Sequence, residues 1–247
     1  MVTRLPWDAV NVPGSMALAA TGKPENAVLA AEITVRQLRG VGVNFNLAPD
    51  LDVNSNPMNP VIGVRSFGDD PQSVALFGTK AVEGYKNGGM LCCGKHFPGH
   101  GDTAEDSHTA LAVTYKTLDE LQACELLPFA ADTGLHAVMV GHIAAPNVTG
   151  DGTPATLSPQ LVALIPDAEN TLIVTDSLAM DAITAAYTPG EAAVQALQAG
   201  CDVLLMPNSL PEAYAAVLEA VQNGTISEER LDRSVNKILL YKQQFAS

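Results

Sequence analysis

Residues 90–96 read Met-Leu-Cys-Cys-Gly-Lys-His, a short apolar run that ends directly in two polar side chains. Four consecutive apolar residues suit a strand buried on both faces, and a lysine placed straight after them is poorly set for solvent. The pattern recurs at Gly42 to Leu47 ahead of Asp50, at Ala137 to His142, at Leu172 to Asp176, and at Asp202 to Met206. Between these runs lie segments with helical periodicity: Pro24 to Arg39, Pro71 to Asn87, Leu118 to Thr133, Glu191 to Ala199 and Pro211 to Asn223. Strand alternates with helix, so the class is α/β. Polar residues collecting at strand C-termini are what a TIM-type (β/α) barrel places at its catalytic face. A doubly wound sheet shares the local pattern, but no GxGxxG or Walker-type phosphate loop supports one.

A closed barrel needs eight strands, and five are legible. The first 23 residues, rich in Pro, Gly and small side chains, hold no credible strand. The expectation is one domain over 1–247, an incomplete barrel lacking its first strands. Open strand edges invite a homodimer, or exchange of a strand or helix that covers them.

Composition narrows the partners. A formal charge of −14 and only 16% charged residues argue against nucleic acid and against an anionic membrane surface, and leave a small, locally recognised ligand. No apolar run reaches 18 residues, and the start lacks the regions of a signal peptide, so a cytoplasmic chain is expected. The four cysteines show no zinc spacing and read as small buried hydrophobes.

The stretch Lys95 to His108 carries three of the chain's five histidines, with Pro98, Gly99 and Gly101 excluding a helix. The glycines predict a loop free to close over a ligand. His96, His100, Asp102, Asp106 and His108 raise a metal reading, but they lie off any helix and no HExxH-like base accompanies them, so no metal is expected. Asp50 and Asp52 are either pocket acids or Asx-turn formers, with Asp50 the preferred site residue. His142 either lines the pocket or is a satisfied structural histidine, and His136, at the other end of its strand, is expected to be structural.

Five motifs occur together and in order: Asn46-Leu-Ala-Pro-Asp-Leu-Asp-Val-Asn, Val64-Arg-Ser-Phe-Gly-Asp-Asp-Pro, Lys95-His-Phe-Pro-Gly-His-Gly-Asp-Thr with Asp106-Ser-His, Thr175-Asp-Ser-Leu-Ala-Met, and Leu204-Leu-Met-Pro. In this the chain resembles family 3 glycoside hydrolases, specifically their β-N-acetylglucosaminidase branch. The resemblance implies an additional opening strand pair and an Asp-x-Glu-Gly-Gly motif whose acid holds distal sugar hydroxyls, neither of which this sequence contains. It implies no cofactor and no metal.

The resemblance assigns Asp176 as nucleophile. A carboxylate at the tip of Thr171-Leu-Ile-Val-Thr would point into a barrel mouth, where it could attack an anomeric carbon, though the same Asp ahead of Ser-Leu-Ala-Met could cap a helix. In this branch a histidine replaces the second carboxylate. His108 is the implied acid and base, with Asp106 two residues earlier orienting its ring, unless the two merely cap a turn. Lys95, His96 and Arg65 are expected to bind sugar hydroxyls and Met206 to form an apolar wall. Substrate-assisted hydrolysis is set aside, because its nearest acid pair, Asp119-Glu120, opens a helix behind the expected cap Thr117. The expected reaction is retaining removal of terminal β-linked N-acetylglucosamine from small glycans such as peptidoglycan fragments or chitooligosaccharides. Phosphate as acceptor is the first alternative, and a catalytically impaired sugar-binding or scaffold protein the contrasting one.

Overall fold

A computed structural model describes residues 9–104, 111–131 and 134–245. Among them are six strands: β1 Phe45–Asn46, β2 Leu91–Phe97, β3 Ala112–Val113, β4 Ala137–Val140, β5 Ile143–Ala144 and β6 Leu172–Thr175. β1, β2, β4 and β6 pair in that order, every pair parallel. Val203 adds a fifth position through a parallel bridge to Val174. The five runs read from the sequence therefore lie side by side in chain order, which is the arrangement of a TIM-type barrel with part of its circuit unfilled among the described residues. β3 and β5 form a small parallel pair of their own.

Burial on both faces explains the unbroken apolar runs. Cys93, Ala137, Met139, Leu172 and Val174 share one cluster with Phe45, Leu47, Val203 and Leu205, residues of the two edge positions. Their neighbours Val138, Val140 and Ile173 face the other way into a larger cluster. Cys92 packs with Val35, Leu38, Val82 and Tyr85 of the flanking helices. Burial pushes the thiols of Cys92 and Cys201 up to about 12, so both behave as small apolar groups.

The helices follow their capping chemistry. Pro71–Asn87 begins where Asp70 accepts the Ser73 N–H at 2.8 Å and Pro71 takes the first position. Pro189–Ala199 opens with a Thr188/Glu191 capping box and stops at the left-handed Gly200. The single helix expected over Leu118 to Thr133 is instead two short ones, Leu118–Ala123 and Leu127–Ala130. Pro128 is the reason: its ring would meet the Cys124 carbonyl four residues back, and Cys124 leaves helical geometry at φ −130 and ψ −81. The capping box of Thr117 with Glu120 is present as expected. Glu228–Phe245, the longest helix, is one the sequence reading did not name. Among the described residues no helix is long and apolar enough to cross a membrane.

Candidate active site

The C-terminal ends of the strands carry the polar residues into one place. Asp50 lies five residues beyond Phe45, bridged to Lys95 at the end of β2, while Asp176 directly follows β6. These ends border a cleft of about 770 Å³ whose walls include Asp50, Arg65, Lys95, His96, Asp176 and Met206. Six of the predicted site residues thus meet. A second hollow of about 680 Å³, around Arg39, Lys86 and His136, opens by the other ends of the strands and holds none of them.

Asp52, fully buried, organises one wall. Its carboxylate accepts the His100 N–H at 2.6 Å and lies 2.6 Å from His96 Nδ1. Burial alone would raise its pKa, but the charge and hydrogen bond of His96 outweigh that and hold it well below the usual carboxylate range. Asp50 is pushed the other way, up to about 7, by burial first and by the charge of Asp52 next. Its Oδ2 has the Arg65 Nη2 at 3.2 Å but no aligned hydrogen-bond donor among the described residues. Its Oδ1 accepts the Asp52 N–H at 3.2 Å, so Asp50 closes an Asx turn and walls the cleft as well.

Arg65 leaves a single 3₁₀ turn, Gly63–Arg65, and its Nη2 also stands 3.5 Å from His96 Nε2. Asp50, Asp52 and His96 bring three ligand-type atoms within 4.8 Å of one another. Their surroundings suit a hydrogen-bonded network better than a cation, because Arg65 already neutralises one acid and His96 and backbone N–H groups serve the other.

Asp176 is half-buried, its N–H donating to Val140 O at 2.9 Å and its Oδ1 accepting the Ser177 N–H at 2.8 Å. It caps no helix; the following one, Asp181–Thr184, has Met180 at its N-cap. Burial works to raise its pKa, but His96, His142, the Ser177 N–H and Lys95 prevail and keep the carboxyl below the usual range. The site therefore holds an ionised carboxylate, partly dehydrated and surrounded by cationic or polarisable groups. In such an environment a carboxylate is able to act as a nucleophile.

His142 lies behind the cleft wall, not on it. It has no exposure, and its nitrogens are 2.7 Å from Thr156 Oγ1 and 2.9 Å from Ser177 O. Burial holds its pKa down. It thus fixes the backbone one residue past Asp176. Met206 lines the cleft at φ 47, an uncommon conformation for a side-chain-bearing residue, and is 62% exposed. Asp106 and His108 lie outside the described residues.

Sequence reasoning did not place Asn46 or Tyr85 in the site and weighed His100 only as a metal ligand; all three line the cleft. Tyr85 sits on the buried face of Pro71–Asn87, and its hydroxyl accepts from Asn46 Nδ2 at 3.2 Å. A tyrosine hydroxyl on an otherwise apolar helix face was the available signal, since a buried phenol requires a partner.

The loop Phe97 to Thr103 is not the freely moving element expected from its glycines. A Cβ on Gly101 would lie 1.9 Å from Val53 O, and one on Gly99, at φ 127, would lie 2.5 Å from Glu125 Cβ. Both glycines permit close packing, and residues 98–101 are buried.

Residues 2–240 match the family described as the glycosyl hydrolase family 3 N terminal domain. A β-hexosaminidase A of Pseudoalteromonas piscicida is 34% identical over 95% of this chain and 44% of its own length. The solved family 3 β-N-acetylglucosaminidase from Paenibacillus sp. superposes with a TM-score of 0.95 at 46% identity, covering 100% of this chain and 48% of that one. A β-glucoside phosphorylase, BglX, bound to 2FGlc superposes at 0.92 and 30% identity, over 97% of this chain and 45% of its own. The chain spans less than half the length of each.

Proposed function

Because the chain belongs to glycosyl hydrolase family 3, we propose that it is the barrel of a retaining exo-glycosidase that removes terminal β-linked N-acetylglucosamine from small glycans. The observation that carries this reading is Asp176: an ionised, half-buried carboxylate at a parallel strand's C-terminal tip, inside a cleft walled by Lys95, His96 and Arg65. Asp176 attacks the anomeric carbon and forms the glycosyl ester as the aglycone leaves. His108, oriented by Asp106, gives the aglycone oxygen its proton. The histidine then takes a proton from water, which displaces Asp176 and releases the sugar with retained configuration. Lys95, His96, Arg65 and Asp50 hold the ring hydroxyls meanwhile. The names of the hexosaminidase relatives support the substrate class.

Phosphate in place of water is the second reading, supported by the cationic side chains beside Asp176 and by the likeness to a phosphorylase. The test is release of p-nitrophenol from its β-N-acetylglucosaminide, in water and in phosphate buffer. Turnover that Asp176→Asn lowers on the order of 10⁴-fold or more supports the glycosidase. A phosphate-dependent gain with formation of the sugar 1-phosphate moves it to the second reading. Pure, folded protein with no turnover in either buffer overturns both.

A further inference from the structure

No regular element directly follows Asp176 to hold it; the next helix is Asp181–Thr184, with Met180 as its N-cap. The chain across 176–178 is pinned at separate points instead. The Asp176 N–H donates to Val140 O at 2.9 Å, the Leu178 N–H donates to Leu205 O at 2.9 Å, and between them Ser177 O stands 2.9 Å from His142 Nε2. The outer two are backbone bonds to neighbouring strand positions. The middle one is made by a buried side chain.

A carbonyl oxygen only accepts, so Nε2 carries the proton of the His142 ring, and Nδ1 turns to Thr156 Oγ1 at 2.7 Å. Thr156 is itself unexposed. Its hydroxyl lies 2.9 Å from Gly141 O and 3.3 Å from Val140 O, the carbonyl to which Asp176 donates. His142 thus braces the residue after Asp176 against the end of β4. Satisfaction of Ser177 O does not require the ring, because the Met180 N–H already donates there at 3.1 Å. What the ring adds is direction. With Asp176 N and Ser177 O both fixed, the planar peptide between them, which carries the Ser177 N–H, has little freedom. That N–H donates to Asp176 Oδ1 at 2.8 Å, while Oδ2 has no hydrogen-bond partner among the described residues.

We propose that His142 is a positioning residue for the nucleophile: acting through Ser177, it holds the Asp176 carboxylate with Oδ1 engaged and Oδ2 left to attack the anomeric carbon. This rests on the glycosidase reading given above. In the step it serves, Oδ2 forms the ester bond to the anomeric carbon as the bond from that carbon to the aglycone oxygen breaks, and the electron pair leaves with the aglycone. His142 stands behind the cleft wall and touches no sugar. Its loss should slow the attack and spare sugar binding, since a displacement of about 1 Å at the reacting atoms costs on the order of 100-fold in rate.

2,4-Dinitrophenyl β-N-acetylglucosaminide isolates that attack, because dinitrophenolate leaves without a proton and kcat/KM ends at ester formation. His142→Phe keeps a ring and removes the donor. It is expected to lower kcat/KM on this substrate about 100-fold while the Kd for N-acetylglucosamine, measured by calorimetry, stays within about 3-fold of the wild type. The groups that face Asp176 among the described residues are Cys93, Lys95 and His96 on β2, His100 beyond it, and His142. With the Ser177 N–H no longer held against Oδ1, the ionised carboxylate loses a stabilising bond, so the acid limb of the kcat/KM profile should move to higher pH in His142→Phe. His142→Gln, which returns an N–H donor, should recover most of the rate. Thr156→Val, which strips the partner from Nδ1 and leaves Nε2 in place, should show the same pattern at about 10-fold. Wild-type kcat/KM with an unmoved acid limb in His142→Phe, or a loss that appears in the Kd, would overturn the positioning role. Should His142→Phe not fold, the same readings on Thr156→Val decide, and wild-type values there overturn it equally. Wild-type protein inactive on the dinitrophenyl substrate would instead overturn the glycosidase reading on which the role stands.

Discussion

At Gly101 the loop leaves no room for a methyl group, since a Cβ would stand 1.9 Å from the Val53 carbonyl oxygen. Gly101→Ala is therefore expected to destabilise the protein by about 1–3 kcal/mol, read as a lower urea midpoint at unchanged slope. This residue also shows where sequence reading stops. Glycine in a loop is legible, but whether it serves freedom or close approach depends on what packs against it, and Val53 and Glu125 come from distant parts of the chain. Asp50 and Asp52 teach the same lesson. Alternation about the buried Leu51 puts both on one face, and the sequence could place both at a strand end. Which of them meets His96 depends on the register with β2, set by the Asp50–Lys95 bridge, and no local signal encodes that.

Among elements, the strands were the most legible, because an apolar run bounded by a polar tip is a local property of a buried parallel strand. The Glu228–Phe245 helix went unnamed although Leu231, Val235, Ile238 and Phe245 recur in it at helical spacing, a stripe that was available in the sequence. It buries only Ser234 and Phe245 fully. An ion pair and a hydrogen bond help hold it: Lys237 Nζ lies 3.0 Å from Asp202 Oδ2, and Arg230 Nη2 donates to the Cys201 carbonyl at 2.6 Å. Its end covers His136, whose ring meets Tyr241 and Phe245 edge-on. Burial, then the nearby charge of Lys86, depresses the His136 pKa from 6.5 to about 4. Below pH 6.5 the unfolded chain takes up a proton that the folded one refuses, so stability falls as pH drops from about 6.5 to about 4 and this contribution then levels off. Thermal melts across that range should show His136→Gln with a flatter dependence than the wild type. Matching curves would remove His136 as the cause.

For the molecule as a whole, the charge of −14 sets up self-repulsion in the folded state, while Lys95, Arg65 and His96 are gathered at the cleft. Screening should relieve the repulsion, so the melting temperature is expected to rise as sodium chloride is raised from about 10 mM to about 150 mM, where the Debye length shortens from about 30 Å to about 8 Å. A flat or falling curve would show that attractive pairs, such as those around Asp202, dominate instead. Charge sign was legible from composition; the meeting of Lys95 and Arg65 was expected from the resemblance alone, since one lies on β2 and the other on the 3₁₀ turn Gly63–Arg65.

Asn44 Nδ2 donates to Phe245 O at 3.3 Å across 201 residues of chain, and Ile238 and Tyr241 complete the apolar cluster inside the sheet. During synthesis, then, every strand of this sheet leaves the ribosome well before the helix that covers its underside. Through that interval a row of apolar strand residues waits without its partner, a condition in which an emerging chain is prone to aggregate.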